Sequence, residues 1–384
     1  MLDATKAFDR VEYFRFFKLL VNRGLCPVTA RLLLTMYTNQ YVVVNWGNAA
    51  AKPFKCANGV KQGGVLSPIL FGVYIDELLM RLKNAGFGCH IGHNFIGALA
   101  YADDIVLMAP TVSCISKMLK LFSEFSLDYK VIFNPDKSRH MICGKCDSYP
   151  NLFIDNLPIQ KVNTFEHLGH VVGQNASHDS VSSCIKRFHA ETNILMAQFG
   201  NIFSDTRYKL FKTYCMPLYG CQLWDFSKPE VERFYTAWRK AIRFIWRLPY
   251  RSHCQLLPLI CDDIPVELQL HKRFLKFFQK VITSNNELVK FCGSLAIGGS
   301  CSTTCNSLNY IATKYGMNKY AMVYGNLQWI SQDISQFIAN HEINDNNSRI
   351  GAFVRELCLA RDTKFQSILS RQQLNEIIEY LCIT

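Results

Sequence analysis

The run Leu99–Met108 reads LAYADDIVLM, with two adjacent carboxylates, Asp103 and Asp104, inside an otherwise apolar stretch. A buried unpaired charge is costly and two like charges repel. The segment must therefore turn at the acids and expose them, or hold a cation there. Leu99–Ala102 and Ile105–Met108 read as two short buried strands, so the pattern predicts a tight β-hairpin with both carboxylates at its tip. Taken alone, an Asp-Asp turn is most often only a solvated turn.

Two upstream segments give the hairpin a context. MLDATKAFDRVEYFRFFKLLVNRGL places Asp3 at the end of a strand. Asp9 followed by Glu12 predicts a helix cap. Val11, Phe14, Phe17 and Val21 then recur at helical spacing, with Gly24 as the stop. In NGVKQGGVLSPILFGVYIDELLMRLKNAG, Ser67 before Pro68 predicts a cap and first helical position, and Gly86 suits the end. Gly63 and Gly64 precede that helix in a loop whose backbone a partner can approach closely. A third carboxylate, Asp3, beside the hairpin tip would make a site for two hard divalent cations of the Mg²⁺ type. Two such ions about 3.5–4 Å apart suit phosphoryl transfer.

The hydrophobic share of 49% and charged share of 19% over 384 residues describe a folded chain with room for two or three domains. The net charge of +12 favours a polyanionic partner. Sixteen cysteines without repeating spacing read as reduced thiols of an intracellular protein, nuclear or cytoplasmic, with no targeting signal. No uninterrupted apolar run reaches membrane-spanning length.

LDATKAFDRV, NGVKQGGVLSPILF and AYADDIVLMA closely resemble motifs A, B and C of reverse transcriptases, in the version of non-LTR (LINE, jockey-like) retrotransposons. NPDKSRHMI, from Asn134, resembles motif D. FEHLGHVV, from Phe165, resembles motif E. The segment YCMPLYGCQLW through WRKAIRFIWRLPYRSH is similar, more weakly, to the thumb of these elements. Group II intron proteins and telomerase share the palm, but KAFD and YADD fit LINE-type elements better.

The resemblance implies an α+β fold: a palm of antiparallel sheet with helices on one face, then a helical thumb and a helical C-terminal region. It implies an RNA-directed DNA polymerase that takes an RNA template, a DNA primer and dNTPs, with two Mg²⁺ or Mn²⁺ ions. Asp3, Asp103 and Asp104 would hold the ions. Phe8 would be the steric gate against a 2′-hydroxyl, and Gln62 with Gly63 would pack on the nascent base pair. Tyr101 would lie against the primer end. Lys137 would assist the leaving pyrophosphate. Leu168 and Gly169 would form the turn gripping the primer.

The chain departs from the family in having no fingers region ahead of motif A and no endonuclease. It reads as an internal fragment begun at a methionine just before motif A. Only Met1 and Leu2 precede Asp3, so that strand is expected to fray, and the chain as given is expected not to polymerise. A catalytically inactive remnant that at most binds nucleic acid is the alternative.

From Lys186 to Arg251 there are twelve Lys/Arg against five Asp/Glu. Arg239, Arg243 and Arg247 recur at i, i+4, i+8 as one helical stripe between Pro229 and Pro249, beside an apolar stripe of Trp238, Ile242 and Ile245/Trp246. Such a ridge suits a phosphate backbone; standing alone it would read as a solvated face. Cys143, Cys146, His167 and His170 form a rival zinc spacing, although the motif E turn already explains the histidines. Cys301 and Cys305 lack a following His at ligand spacing. Composition divides the chain into a palm to residue 173, a basic thumb and connection over 174–291, a linker over 292–305, CGSLAIGGSCSTTC, and a helical region over 306–384.

Overall fold

The computed structural model describes residues 1–144, 150–173, 176–299, 302–316, 318, 345–362 and 371–383. The chain divides into two compact units, one of residues 1–168 with 172–174, the other of 169–171 with 175–384.

The first unit is built on a four-stranded antiparallel sheet. Its order is Ile132–Phe133, Leu2–Thr5, Asp104–Leu107, Ala98–Tyr101. Leu2 pairs with Ile105 and Ala4 with Phe133, and all four are buried. Period-2 alternation therefore turns this side to the core and the other to solvent. The core side joins Phe71, Tyr74 and Leu78 of the helix Ser67–Asn84 with Phe122 and Phe125 of the helix Val112–Tyr129. The solvent side is less covered than the sequence suggests. Tyr101 is 67% exposed and Leu99 45%. Of the two hairpin strands only Ile105 is fully buried, because Ala98–Tyr101 is the edge of the sheet.

The strand carrying Asp3 does not fray. Neighbours flank it on both sides, so Ala4 and Thr5, which follow the acid, anchor it. The Asn134 amide donates to the Asp3 carbonyl at 2.9 Å, and the Arg139 amide to the Met1 carbonyl at 3.0 Å.

The residues expected to cap, Asp9 with Glu12 and Ser67, are employed differently. The helix begins at Tyr13, not after Asp9, and Phe8–Arg10 is a short 3₁₀ turn. The Val60 amide donates to the Phe8 carbonyl at 2.8 Å and the Gly59 amide to the Val11 carbonyl at 2.9 Å. These long-range bonds hold residues 8–11 out of a helix. A Cβ on Gly59 would sit 2.9 Å from Asp9 Cα, so only glycine permits the approach. Glu12 precedes the helix without capping it and pairs instead with Arg15 and Lys130. Ser67 is inside its helix; its hydroxyl donates to the Lys61 carbonyl at 2.5 Å and closes the glycine loop.

The second unit is helical: Ala176–Phe199, Ser204–Tyr214, Pro229–Trp246, Leu256–Cys261, Val266–Ile282, Glu287–Ile297, Thr303–Tyr315, Asp345–Asp362 and Arg371–Ile383 among the described residues. Trp224, Trp246, Phe188, Phe211, Phe234 and Phe274 fill its core. The expected linker over 292–305 is not one. Glu287–Ile297 is a helix, and a Cβ on Gly293 would come within 3.1 Å of Val281 and Ile282. Its small residues serve close helix packing, not looseness.

All described cysteines are free thiols. No described helix is long and apolar enough to cross a membrane.

Candidate active site

The hairpin forms, but its turn falls one residue earlier than the sequence reading places it, at Ala102 and Asp103, so of the two acids only Asp103 is at the tip. Ala102, at the tip, has φ +52°, a left-handed conformation that a residue with a Cβ adopts at some cost. The turn leaves Asp104 as the first residue of the returning strand, directly opposite both Tyr101 and Asp3. Residues opposite one another in a ladder share a face, so Asp3, Asp104 and Tyr101 stand together on the exposed side. Burial raises the Asp104 pKa, the Asp103 charge raises it further and His167 draws it back down, with Asp3 a smaller upward influence.

The loop after the strand Ile132–Phe133 brings in the basic group. Lys137 Nζ lies 4.0 Å from Asp3 Oδ2. The loop is clipped to the Asp3 strand by residues that the motif reading passed over. Asn134 Oδ1 accepts from the Asp136 amide at 2.9 Å, a turn that Asn-Pro-Asp chemistry favours. The buried Ser138 hydroxyl donates to the Asn134 carbonyl at 2.7 Å and accepts from the Asp3 amide at 3.4 Å. Asn134 and Ser138 are thus positioning residues. Asn-Pro-Asp was the signal that could have pointed to the turn; nothing local marks Ser138.

Phe8 is half-buried. Its ring stacks on the fully buried Phe71 with centroids 4.6 Å apart and planes at 16°. Gln62 and Gly63 are exposed on the loop before the helix Ser67–Asn84, and Gly63 has φ +76°.

Leu168 and Gly169 occupy the turn between strands Thr164–His167 and His170–Gly173, both with positive φ (+50° and +72°). This is the two-residue geometry that matches strand twist. A Cβ on Gly169 would lie 3.1 Å from the Tyr219 ring, on which His170 stacks at 5.0 Å.

The arginine stripe is only partly realised. The helix ends at Trp246, and Arg247 is its left-handed cap, off the stripe. Arg243 donates to the Ser252 carbonyl at 2.7 Å and Arg247 to the Gly200 carbonyl at 2.5 Å. Both guanidiniums tie the helix end to neighbouring loops. Arg239 is half-exposed with no ion pair among the described residues. The apolar stripe is buried throughout: Trp238, Ile242, Ile245 and Trp246.

Two carboxylates at paired positions of a ladder suit a hard divalent cation, which would relieve the repulsion felt by Asp104. As they stand, no three His, Cys, Asp or Glu side chains among the described residues converge into a metal cluster. Asp3 faces Lys137 instead. Cys143 is exposed, and Cys146 lies outside the described residues.

The family model for reverse transcriptase (RNA-dependent DNA polymerase) matches residues 1–172, the span of this sheet, its helices and the hairpin. Residues 1–172 are thus similar to a reverse transcriptase domain, of the non-LTR retrotransposon kind. The chain is 31% identical over 183 residues to the Pol polyprotein from type-1 retrotransposable element R2 of Popillia japonica, covering 45% of this chain and 26% of that protein. It is 32% identical over 136 residues to that of the type-2 element R2DM of Drosophila melanogaster, covering 35% and 13%. The RNA-directed DNA polymerase from the Drosophila mobile element jockey matches at 19% over 313 residues, 77% of this chain and 33% of that protein. The chain thus spans a third or less of these relatives' lengths. Reverse transcriptases in general use divalent metal ions.

Proposed function

We propose that the reverse transcriptase domain extends a DNA primer on an RNA template, by attack of the primer 3′-hydroxyl on the α-phosphate of a dNTP. The observation that carries this reading is the Asp3–Asp104 pair on the exposed sheet face, with Asp103 at the adjoining turn and Lys137 at 4.0 Å from Asp3. In this reading the first unit is the palm and the helices after residue 176 begin the thumb.

Asp3, Asp103 and Asp104 would hold two divalent cations, Mg²⁺ or Mn²⁺, which would stabilise charge on the attacking and leaving oxygens. The remaining work belongs to side chains. Lys137, 4.0 Å from Asp3, would donate a proton to departing pyrophosphate and offset its charge. Phe8, braced by Phe71, fills the volume beside the sugar C2′ and leaves no room for a hydroxyl. Gln62 and Gly63 present an exposed loop to the nascent base pair. Tyr101, on the same face as the carboxylates, supports the primer end. The Leu168–Gly169 turn grips the primer backbone. Arg239 supplies a phosphate contact, while Arg243 and Arg247 chiefly hold the helix end.

Primer extension on an RNA template with Mg²⁺ or Mn²⁺ tests the proposal, with Asp104→Asn as background. Template-dependent products above that background are expected, because strands on both sides anchor Asp3 and remove the fraying on which the expectation of an inactive chain rested. Extension by the Asn variant at the parent rate would overturn it.

A further inference from the structure

The segment YCMPLYGCQLW, residues 214–224, takes no part in the chemistry above. Its middle, Tyr219–Gly220, meets Gly169 and His170 inside the helical unit, to which residues 169–171 belong. The His170 ring lies on the Tyr219 ring, with centroids 5.0 Å apart and planes at 17°. A Cβ on Gly220 would overlap His170 Cε1 and stand 2.8 Å from Nδ1, so the imidazole occupies the space that a side chain at 220 would fill. Gly220 has φ +78°, which glycine adopts without steric cost. On the other edge, a Cβ on Gly169 would come 3.1 Å from Tyr219 Cε1. Two glycines far apart in the sequence thus leave room for one imidazole and one phenol.

This seat is firmly held. Leu218 and Cys221, on either side of it, are buried, Cys221 completely. The Leu218 amide donates to the Met216 carbonyl at 2.8 Å and the Leu223 amide to the Gly220 carbonyl at 2.9 Å. Arg273, on the helix Val266–Ile282, donates to the Met216 carbonyl at 2.9 Å. The Leu168–Gly169 turn, by contrast, needs support. Its hairpin has two strands, an arrangement that is marginal in water on its own. Leu168 also holds φ +50°, which is unfavourable for a residue with a Cβ. A strained turn persists only where its surroundings over-determine it, and His170 in its seat does so at the residue after the turn.

We propose that Tyr219 and Gly220 are positioning residues for primer extension: they form the seat in which His170 lies, and through it fix the Leu168–Gly169 turn at the primer terminus. The proposal rests on the reading above, that this turn grips the primer, and adds the groups that hold the grip in place. A turn displaced by about 1 Å would misalign the primer 3′-hydroxyl with the α-phosphate, an error that can cost about a hundredfold in rate. Binding of the dNTP depends on other residues, so the loss falls on the rate and not on nucleotide affinity.

The test is single-turnover primer extension by the full chain on an RNA template, over a range of dNTP concentrations. His170→Ala and Tyr219→Leu are each expected to lower the maximal rate about tenfold or more, and to leave the dNTP concentration at half-maximal rate within about twofold. Tyr219→Phe keeps the ring and should keep the parent rate. His170→Ala combined with Tyr219→Leu should be no slower than the slower single variant, since both remove the same stack. Parent-like rates in His170→Ala and Tyr219→Leu overturn the seat and leave the polymerase reading standing. Losses that multiply in the double variant, or that Tyr219→Phe shares, also overturn it. A rate loss matched by loss of folded protein, read by circular dichroism at the assay temperature, assigns these residues to packing alone and overturns it as well. No extension by the parent overturns the polymerase reading, and this one with it.

Discussion

Asp3 and Asp104 sit directly opposite each other in the antiparallel ladder between Leu2–Thr5 and Asp104–Leu107. Like charges so placed destabilise a sheet by about 0.2–1 kcal/mol. Asp104→Asn is therefore expected to raise the melting temperature in EDTA. Adding Mg²⁺ should stabilise the parent and leave the variant unmoved, because ligand bound to the folded state adds stability by mass action. The Asp104 carboxyl is raised above its ordinary value, so folding favours its protonated form. Its unfavourable contribution at neutral pH is relieved as pH falls through the raised pKa. Over the same range protons displace the cation, so the Mg²⁺ effect should fade at a higher pH than for an ordinary aspartate. Thermal melts with and without Mg²⁺ across pH 4–7 check this. An equal Mg²⁺ effect in Asp104→Asn rules the assignment out.

Phe8→Val should have two separable effects. Losing the stack on Phe71 costs about 1–3 kcal/mol, given that the ring is only half-buried. The enlarged sugar pocket should admit ribonucleotides, read as incorporation of rNTPs relative to dNTPs. Lower stability with unchanged sugar selectivity would make Phe8 a packing residue alone.

His271 gives the helical unit a pH dependence. It is fully buried, with Nδ1 2.8 Å from the Tyr315 hydroxyl, and burial pushes its pKa from 6.5 down to about 3. The unfolded chain binds the proton that the folded one excludes. Stability is thus complete above pH 6.5 and falls as pH drops towards 3, at about 1.4 kcal/mol per unit at most. Urea melts of the parent should show that slope, and His271→Gln should flatten it. A parent and variant with identical pH profiles would exclude His271 as the cause.

Arg207 is fully buried, donates to Ser204 Oγ and the Gly200 carbonyl, and lies 3.8 Å from Asp362. The Asp362 carboxylate also accepts the Ser204 amide at 2.6 Å, at the start of the helix Ser204–Tyr214. Asp362→Ala strands a buried guanidinium and should cost about 3–5 kcal/mol. Arg207→Met with Asp362→Leu should recover most of it. A denaturant midpoint unmoved by Asp362→Ala would contradict this.

What the sequence by itself determined is local. The hairpin around Asp103, the helix after the glycine loop, and the buried stripe of Trp238, Ile242 and Trp246 follow from periodicity and turn chemistry within short windows, while the five ordered motifs follow from resemblance to a known family. Tertiary structure decided what depends on residues distant in the chain. Asp3 is anchored by strands that arrive about a hundred residues later, which no window around Met1–Thr5 contains. Residues 8–11 stay out of a helix because Gly59 and Val60 bond to them, overriding the Asp9 cap pattern. The small residues around Gly293 look like a linker in one dimension, yet they let the helix Glu287–Ile297 close on Val281 and Ile282. Arg243 and Arg247 read as a free ridge until the loops at Gly200 and Ser252 take up their guanidiniums. Local propensity is worth tenths of a kcal/mol per residue, whereas a buried amide without its partner costs about 1–3, so the long-range partner prevails wherever the two disagree.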